Sequence, residues 1–188
     1  MKLITDTVYT KQDYTATPLP YAEYDNCTFT DCLFNDANLT GIIFTQCRFE
    51  GCNLSNANIK GTAFKEVVFI NCKTLGLNFS ISEPFLITLG FSECQLDFAS
   101  FYKLKLKGTR FLKCSLREAD LTETDLTSAS FDGCDLAHAI FENTILEKAD
   151  FRSAINYSID PENNRIKKAK FSLQGVPGLL NKYDIGIE

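Results

Sequence analysis

Eight cysteines, one histidine and a run of carboxylates are the side chains in this 188-residue sequence with the means to do chemistry. A catalytic nucleophile needs a base within reach, and a metal site needs several donors gathered together. His138 is the only histidine, so no second imidazole completes a Cys/His or Ser/His arrangement. GxSxG, HExxH, Walker and GxGxxG patterns are absent. The cysteines are Cys27, Cys32, Cys47, Cys52, Cys72, Cys94, Cys114 and Cys134. None forms the close CxxC pair typical of zinc sites. The reading is therefore against an enzyme, and neither a metal nor another cofactor is expected. Carboxylates remain. Between Glu118 and Asp150 stand Glu118, Asp120, Glu123, Asp125, Asp132, Asp135, Glu142, Glu147 and Asp150, with Lys148 the single base. Just before them, Lys103, Lys105, Lys107, Arg110, Lys113 and Arg117 follow one another with no acid between.

What positions these groups is a beat of five. From Cys27 the chain reads CTFTD CLFND ANLTG IIFTQ CRFEG CNLSN ANIKG TAFKE VVFIN, and a bulky apolar residue returns at the centre of each block: Phe29, Phe34, Leu39, Phe44, Phe49 and onward to Phe79, with Thr74 the one weak member. Two residues before each centre the side chain is usually small, and all eight cysteines stand there. A period of five matches neither a strand nor an amphipathic helix. It suits a coil in which each block is one side of a polygon, with its small residue and its centre both pointing inward. The cysteines give the number of sides. Cys32, Cys52 and Cys72, and then Cys94, Cys114 and Cys134, recur every twenty residues, so four blocks make a turn. Stacked turns would leave the thiols with nearly parallel Cβ vectors, a poor start for disulfides, so reduced core thiols are expected.

The blocks ANLTG (residues 37–41), ADLTE (119–123) and ADFRS (149–153) resemble the A(D/N)LXX unit of the pentapeptide repeat proteins, and the resemblance covers residues 22–156. It implies an all-β fold, a right-handed quadrilateral β-helix. Three segments are expected: an N-terminal cap over residues 1–21, the β-helix over 22–157, and a C-terminal cap with a short helix over 158–188. A break is expected near residues 80–90. Centres fall twelve residues apart between Phe79 and Phe91 where two blocks need ten, so two residues enter within Ile81 to Leu89, which contains Pro84. A bulge or small loop is expected there, with a cis bond at Pro84 as one option.

Function is expected on the outside. The nine acids occupy outward block positions and form a negative belt, whose plainest role is solubility. In its sharper role the belt resembles the rows of phosphates on duplex DNA. This chain is similar to the Qnr-type and mycobacterial quinolone-resistance members of the family, dimeric acidic β-helices that mimic DNA and bind DNA gyrase or topoisomerase IV. The resemblance implies such a protein partner and a homodimer formed through the C-terminus, with Val176, Leu179, Leu180, Tyr183, Ile185 and Ile187 as the dimerisation residues. The chain departs from those members in its net charge of only -5, its basic stretch and its lack of long projecting loops. A scaffold binding another cytosolic protein through a flat face is the alternative. Direct nucleic-acid binding by the basic stretch is disfavoured by the negative net charge. No membrane span and no secretion signal are read from the sequence, and the expected location is cytoplasmic.

Overall fold

The computed structural model of the chain describes residues 1–85 and 87–187. Leu86, inside the stretch where the repeat slips, and Glu188, at the end of the C-terminal segment, lie outside the described residues. The chain forms the expected right-handed quadrilateral β-helix. Every bulky centre from Tyr24 to Phe151 is buried, and so is every small residue two places before it. Each coil hydrogen-bonds to the next through its backbone, as when Phe34 N donates to Asn53 O at 2.7 Å and Asn53 N to Cys32 O at 3.1 Å.

Numbered in chain order, the first to fourth sides carry the centres Phe29, Phe34, Leu39 and Phe44 and their counterparts on other coils, and two of the four sides are regular enough to form parallel sheets. On the fourth side β1 (Lys2–Thr5), β3 (Ala22–Asp25), β5 (Ile43–Thr45) and β7 (Ala63–Lys65) pair in that order. On the first side the sheet runs through β2 (Val8–Thr10), β4 (Thr28–Thr30), β6 (Arg48–Glu50), β8 (Val67–Ile70), β9 (Leu89–Ser92), β10 (Arg110–Leu112) and β11 (Ser130–Asp132). Behind this second sheet stands an unbroken pile of rings: Tyr9, Phe29, Phe49, Phe69, Phe91, Phe111, Phe131, Phe151 and Phe171. Neighbouring centroids lie 4.7 to 5.4 Å apart, with planes tilted by 3 to 15°. Offset stacking of this kind contributes about 0.5–1.5 kcal/mol per pair beyond area burial.

The small inward residues do more than save space. The thiol of Cys47 donates to Tyr24 O at 3.2 Å and that of Cys52 to Phe29 O at 3.2 Å. The hydroxyls of Thr62, Thr124 and Thr144 reach Leu39 O, Phe101 O and Leu121 O at 2.8, 2.9 and 2.9 Å. Each side chain thus ties its coil to the carbonyl of a centre in the coil before. All eight cysteines are free and buried. Corners obey a second rule: the residue two places after a centre sits in the left-handed region, as at Asp31, Asp36, Asn56, Glu66, Asn71 and Glu118, and at Gly41, Gly51 and Gly61. Asn, Asp and Gly tolerate that region best.

At both ends the coil reaches further than the expected boundaries. Residues 1–21 are the first coil, since Lys2 pairs with Ala22 and Val8 with Thr28, and Tyr14 stacks on Phe34 at 4.7 Å. At the other end the coil does not stop at Tyr157. Bridges join Ile145 to Arg165 and Asp150 to Lys170, and Phe171 closes the ring pile. There Asn164 fills the small inward place, its amide Nδ2 donating to Phe141 O at 2.9 Å. The segment beyond forms 3-10 helix over Leu173–Leu179 and Asn181–Tyr183, starting earlier than a helix led by Pro177 would. It folds back on the coil: Gly175 and Gly178 press so closely on Tyr157 that a Cβ on either would overlap it.

The two extra residues are absorbed on the fourth side. Just before them, at the end of the third side, Asn78 leads a 3-10 turn over Phe79–Ile81, held by Ser80 N and Oγ on Asn78 Oδ1 at 3.0 and 2.6 Å. Pairing then resumes with an offset of twenty-two, Val67 to Leu89 and Asn78 to Ser100. No peptide bond is cis among the described residues. The sheet of β1, β3, β5 and β7 ends at this turn, while the sheet on the first side passes it without interruption.

Phe111 lies inside the ring pile, between Phe91 and Phe131, and is fully buried. Replacing Phe111 by Asp puts an unpaired charge in the column and should destabilise the fold by more than about 4 kcal/mol. Loss of the native circular-dichroism spectrum and of cooperative melting is the expected result.

Candidate partner-binding surface

The nine acids are spread over all four sides of the C-terminal coils, and five of them are already neutralised. The stacking period brings each to a base on a neighbouring coil or two residues away. Glu123 meets Lys103 at 3.5 Å, Asp125 meets Lys107 at 3.3 Å, and Asp135 meets Arg117 at 2.6 Å. Asp150 holds Arg152 at 2.7 Å, and Glu147 holds Arg165 at 2.6 Å. The expected negative belt is therefore an acidic ring set beneath a basic one. Pairs this exposed contribute little stability each, about 0–1 kcal/mol. Their effect here is to cancel surface potential. The basic stretch is spent in the same contacts, with Lys103, Lys107 and Arg117 engaged and Lys105, Arg110 and Lys113 in no ion pair among the described residues.

The half-buried aspartates titrate accordingly. Burial pushes Asp125 up, but hydrogen bonds from Thr127 and the Lys107 ammonium outweigh it and leave the carboxyl below its ordinary value of 3.8. In Asp135 burial is likewise outweighed, by Asn156 and Arg117. The Arg152 guanidinium is the main cause holding Asp150 down.

Four acids, Glu118, Asp120, Asp132 and Glu142, form no ion pair among the described residues. Three of them share one region. Asp120 and Glu142 flank the centres Leu121 and Phe141 of the third side, and Glu118 stands at its corner with the second side. Asp120 is half-buried and accepts from Thr122 N at 3.0 Å and Ser100 Oγ at 3.3 Å, while Glu118 and Glu142 are exposed. Asp132 lies on the first side and accepts from Ser153 Oγ at 2.6 Å. His138 is an exposed corner residue, as its block position implies.

Of the C-terminal residues, Leu179 packs on the core and Leu180 is half-buried. Val176, Tyr183, Ile185 and Ile187 are exposed. The segment is tied to its own coil by Lys182, which bonds Asp160 and Glu162 at 2.7 Å each, and by Tyr183 Oη on Glu162 at 3.0 Å. Two of the shallow depressions on the surface adjoin the C-terminal segment and the slip in the repeat. One, of about 810 Å3, lies between this segment and the last coil beside Ile155 and Asn156; the other, of about 400 Å3, lies over Gly90 between Val68 and Arg110. No helix of the described residues is long and apolar enough to cross a membrane.

The repeat-region profile of the pentapeptide repeat family matches residues 42–121 and 85–151, more than half of the sequence. The chain is a pentapeptide repeat protein. No curated protein sequence matches it. Among solved structures it is similar to a trypsin-treated form of QnrB1, a plasmid-mediated fluoroquinolone resistance protein. The TM-score is 0.77 at 14% identity, covering 100% of this chain and 92% of that one. A second trypsin-treated form of QnrB1 gives 0.63 at 15% identity, with 100% and 98% covered. At such identity the likeness extends to the fold of this pentapeptide repeat protein alone.

The pairs can be found from the sequence once the fold is known, because Lys103 to Glu123 spans one coil, and Lys107 to Asp125 and Arg117 to Asp135 span eighteen residues. All three lowered aspartates stabilise the fold above their unfolded pKa, and that contribution is lost as pH falls through the folded value. Melting temperature should therefore drop on acidification below about pH 4. Replacing Asp135 by Asn should flatten that slope, as measured by thermal melts between pH 6 and pH 2.5.

Proposed function

We propose that this pentapeptide repeat protein is a non-catalytic binding rod. Its third side, in the C-terminal half, would engage a protein whose own surface is basic because it grips duplex DNA. A type II topoisomerase such as DNA gyrase or topoisomerase IV is the first partner to test. The observation carrying this reading is the gathering of Glu118, Asp120 and Glu142, three of the four belt acids left without a cation, on and beside one side of the rod. The filled column supports a role without catalysis, since it offers no interior to a substrate. Whole-length likeness to the fold of a fluoroquinolone resistance protein adds to the choice of partner. Within the C-terminal belt, mimicry of DNA would centre on this region, because five of its nine acids are held in ion pairs. The eight free, buried thiols suit a reducing cytoplasm.

A flat scaffold face is the second reading, favoured by the row of Asn38, Asn58 and Asn78 on the N-terminal part of the same side, which Asx bonds to Thr40, Lys60 and Ser80 hold in line. The exposed Val176, Tyr183, Ile185 and Ile187 support a homodimer through the C-terminal end.

Purified protein should inhibit gyrase supercoiling at micromolar concentration. The triple variant Glu118→Gln, Asp120→Asn, Glu142→Gln should need roughly tenfold more protein for the same effect. Supercoiling unchanged at high micromolar protein would reject the topoisomerase reading and leave the scaffold. Deleting residues 176–188 should give a particle that sediments as a monomer, and a truncated chain sedimenting like the full one would sink the dimer.

A further inference from the structure

The corners of the rod hold one outlier. Among the described residues with left-handed backbone, the side chains are Asp, Asn, Glu, Gln, Lys, Ser, His or none, with a single exception: Phe98, at φ 60°. A bulky aromatic is poorly suited to that region, and strain of this kind persists at places with a task. Phe98 gains no burial in return, being 59% exposed. It stands at the corner between the second and third sides. Its backbone N donates to Arg117 O, while Asp97 O accepts from Gly76 N in the coil before. Gly76 has no side chain to cover the ring on one flank, and Glu118 occupies the same corner one coil later on the other.

The charges around the ring are one-sided. Asp97, Glu118 and Asp120 have no ion pair among the described residues; Asp97 accepts from Ser115 Oγ and from Arg117 N at 2.9 Å. The nearby cations are committed elsewhere, Arg117 to Asp135 at 2.6 Å and Lys103 to Glu123 at 3.5 Å. Lys103 Nζ also lies 4.7 Å from the centroid of Tyr102, so that aromatic already has its cation. Phe98 is left as a bare ring among unpaired carboxylates. A flat, weakly hydrated cation able to stack on a ring and to fork two hydrogen bonds to a carboxylate complements this surface, and that is a guanidinium.

We infer that Phe98 is the anchor of a docking surface for an arginine-bearing segment of a protein partner, with Glu118 and Asp120 receiving the charge. The inference rests on the reading that the third side meets a basic protein, and it names the contact. An ammonium would bind more weakly, since it keeps its water and cannot fork.

An arginine hexapeptide titrated into the 15N-labelled full chain tests this by NMR. Shifts should centre on the amides of Phe98, Tyr102 and Glu118, and a lysine hexapeptide should bind several-fold more weakly. Phe98→Asn, which installs a residue used at other corners, should weaken hexa-arginine binding at least fivefold and leave the melting temperature unchanged or raise it by about 2 °C. Phe98→Tyr should retain binding. A lowered melting temperature in Phe98→Asn would make the ring structural and overturn the proposal. So would undiminished hexa-arginine affinity in that variant, or shifts that map elsewhere. Failure of the parent reading is separable: unchanged supercoiling with Phe98-dependent hexa-arginine binding removes the topoisomerase and keeps the docking surface.

Discussion

Each coil of this protein must land on the one before it at the separation of two hydrogen-bonded strands, and everything else follows from that requirement. The ring pile from Tyr9 to Phe171 is spaced at 4.7 to 5.4 Å because the backbone sets the distance. Aromatic rings happen to stack well at the same distance. The backbone period and the side-chain period therefore agree, and such agreement between levels is what lets a sequence specify one structure. Thiols and hydroxyls beside the rings extend the agreement by donating to carbonyls of the preceding coil, where an alanine would fill the space without the bond.

The same stacking governs the surface. A residue cannot be outward on one coil without lying beside its counterparts on the coils above and below. Charges are thereby sorted into pairs such as Arg117 with Asp135 and Arg165 with Glu147. The charge available to a partner is what survives that cancellation, which differs from what a count of acids suggests. Of the belt acids, Glu118, Asp120, Asp132 and Glu142 survive it, and the exposed ring of Phe98 stands beside the first two.

The interior could be read from the sequence because the five-residue beat is a local signal repeated many times over. The slip of two was visible as a change of phase, though not its location on the fourth side or its 3-10 turn at Phe79–Ile81. The extent of the coil at its ends is less legible for a physical reason. In the first coil the inward small places fall on Lys2, Thr7 and Gln12, and in the last on Asn164, so the pattern looks broken although the centres Tyr9, Tyr14 and Phe171 still stack. A terminal coil has solvent or a loop on one flank and tolerates polar side chains that an internal coil would reject. The pairing within the acidic belt is hard to read along the chain because, Asp150 with Arg152 aside, the partners lie eighteen or twenty residues apart.

The two sheets respond differently to the insertion near Pro84. On the first side the ladder is continuous from β2 to β11, while on the fourth side it stops at β7. The N-terminal and C-terminal halves are thus bonded on three sides, by β8 with β9 and by the bridges of Lys73 to Gln95 and Asn78 to Ser100, while the regular sheet ends on the fourth, which adjoins the first. A rod built in this way takes extra chain on a single face without parting its interior, since Phe69 and Phe91 stack across the break at 5.3 Å like any other neighbours in the pile.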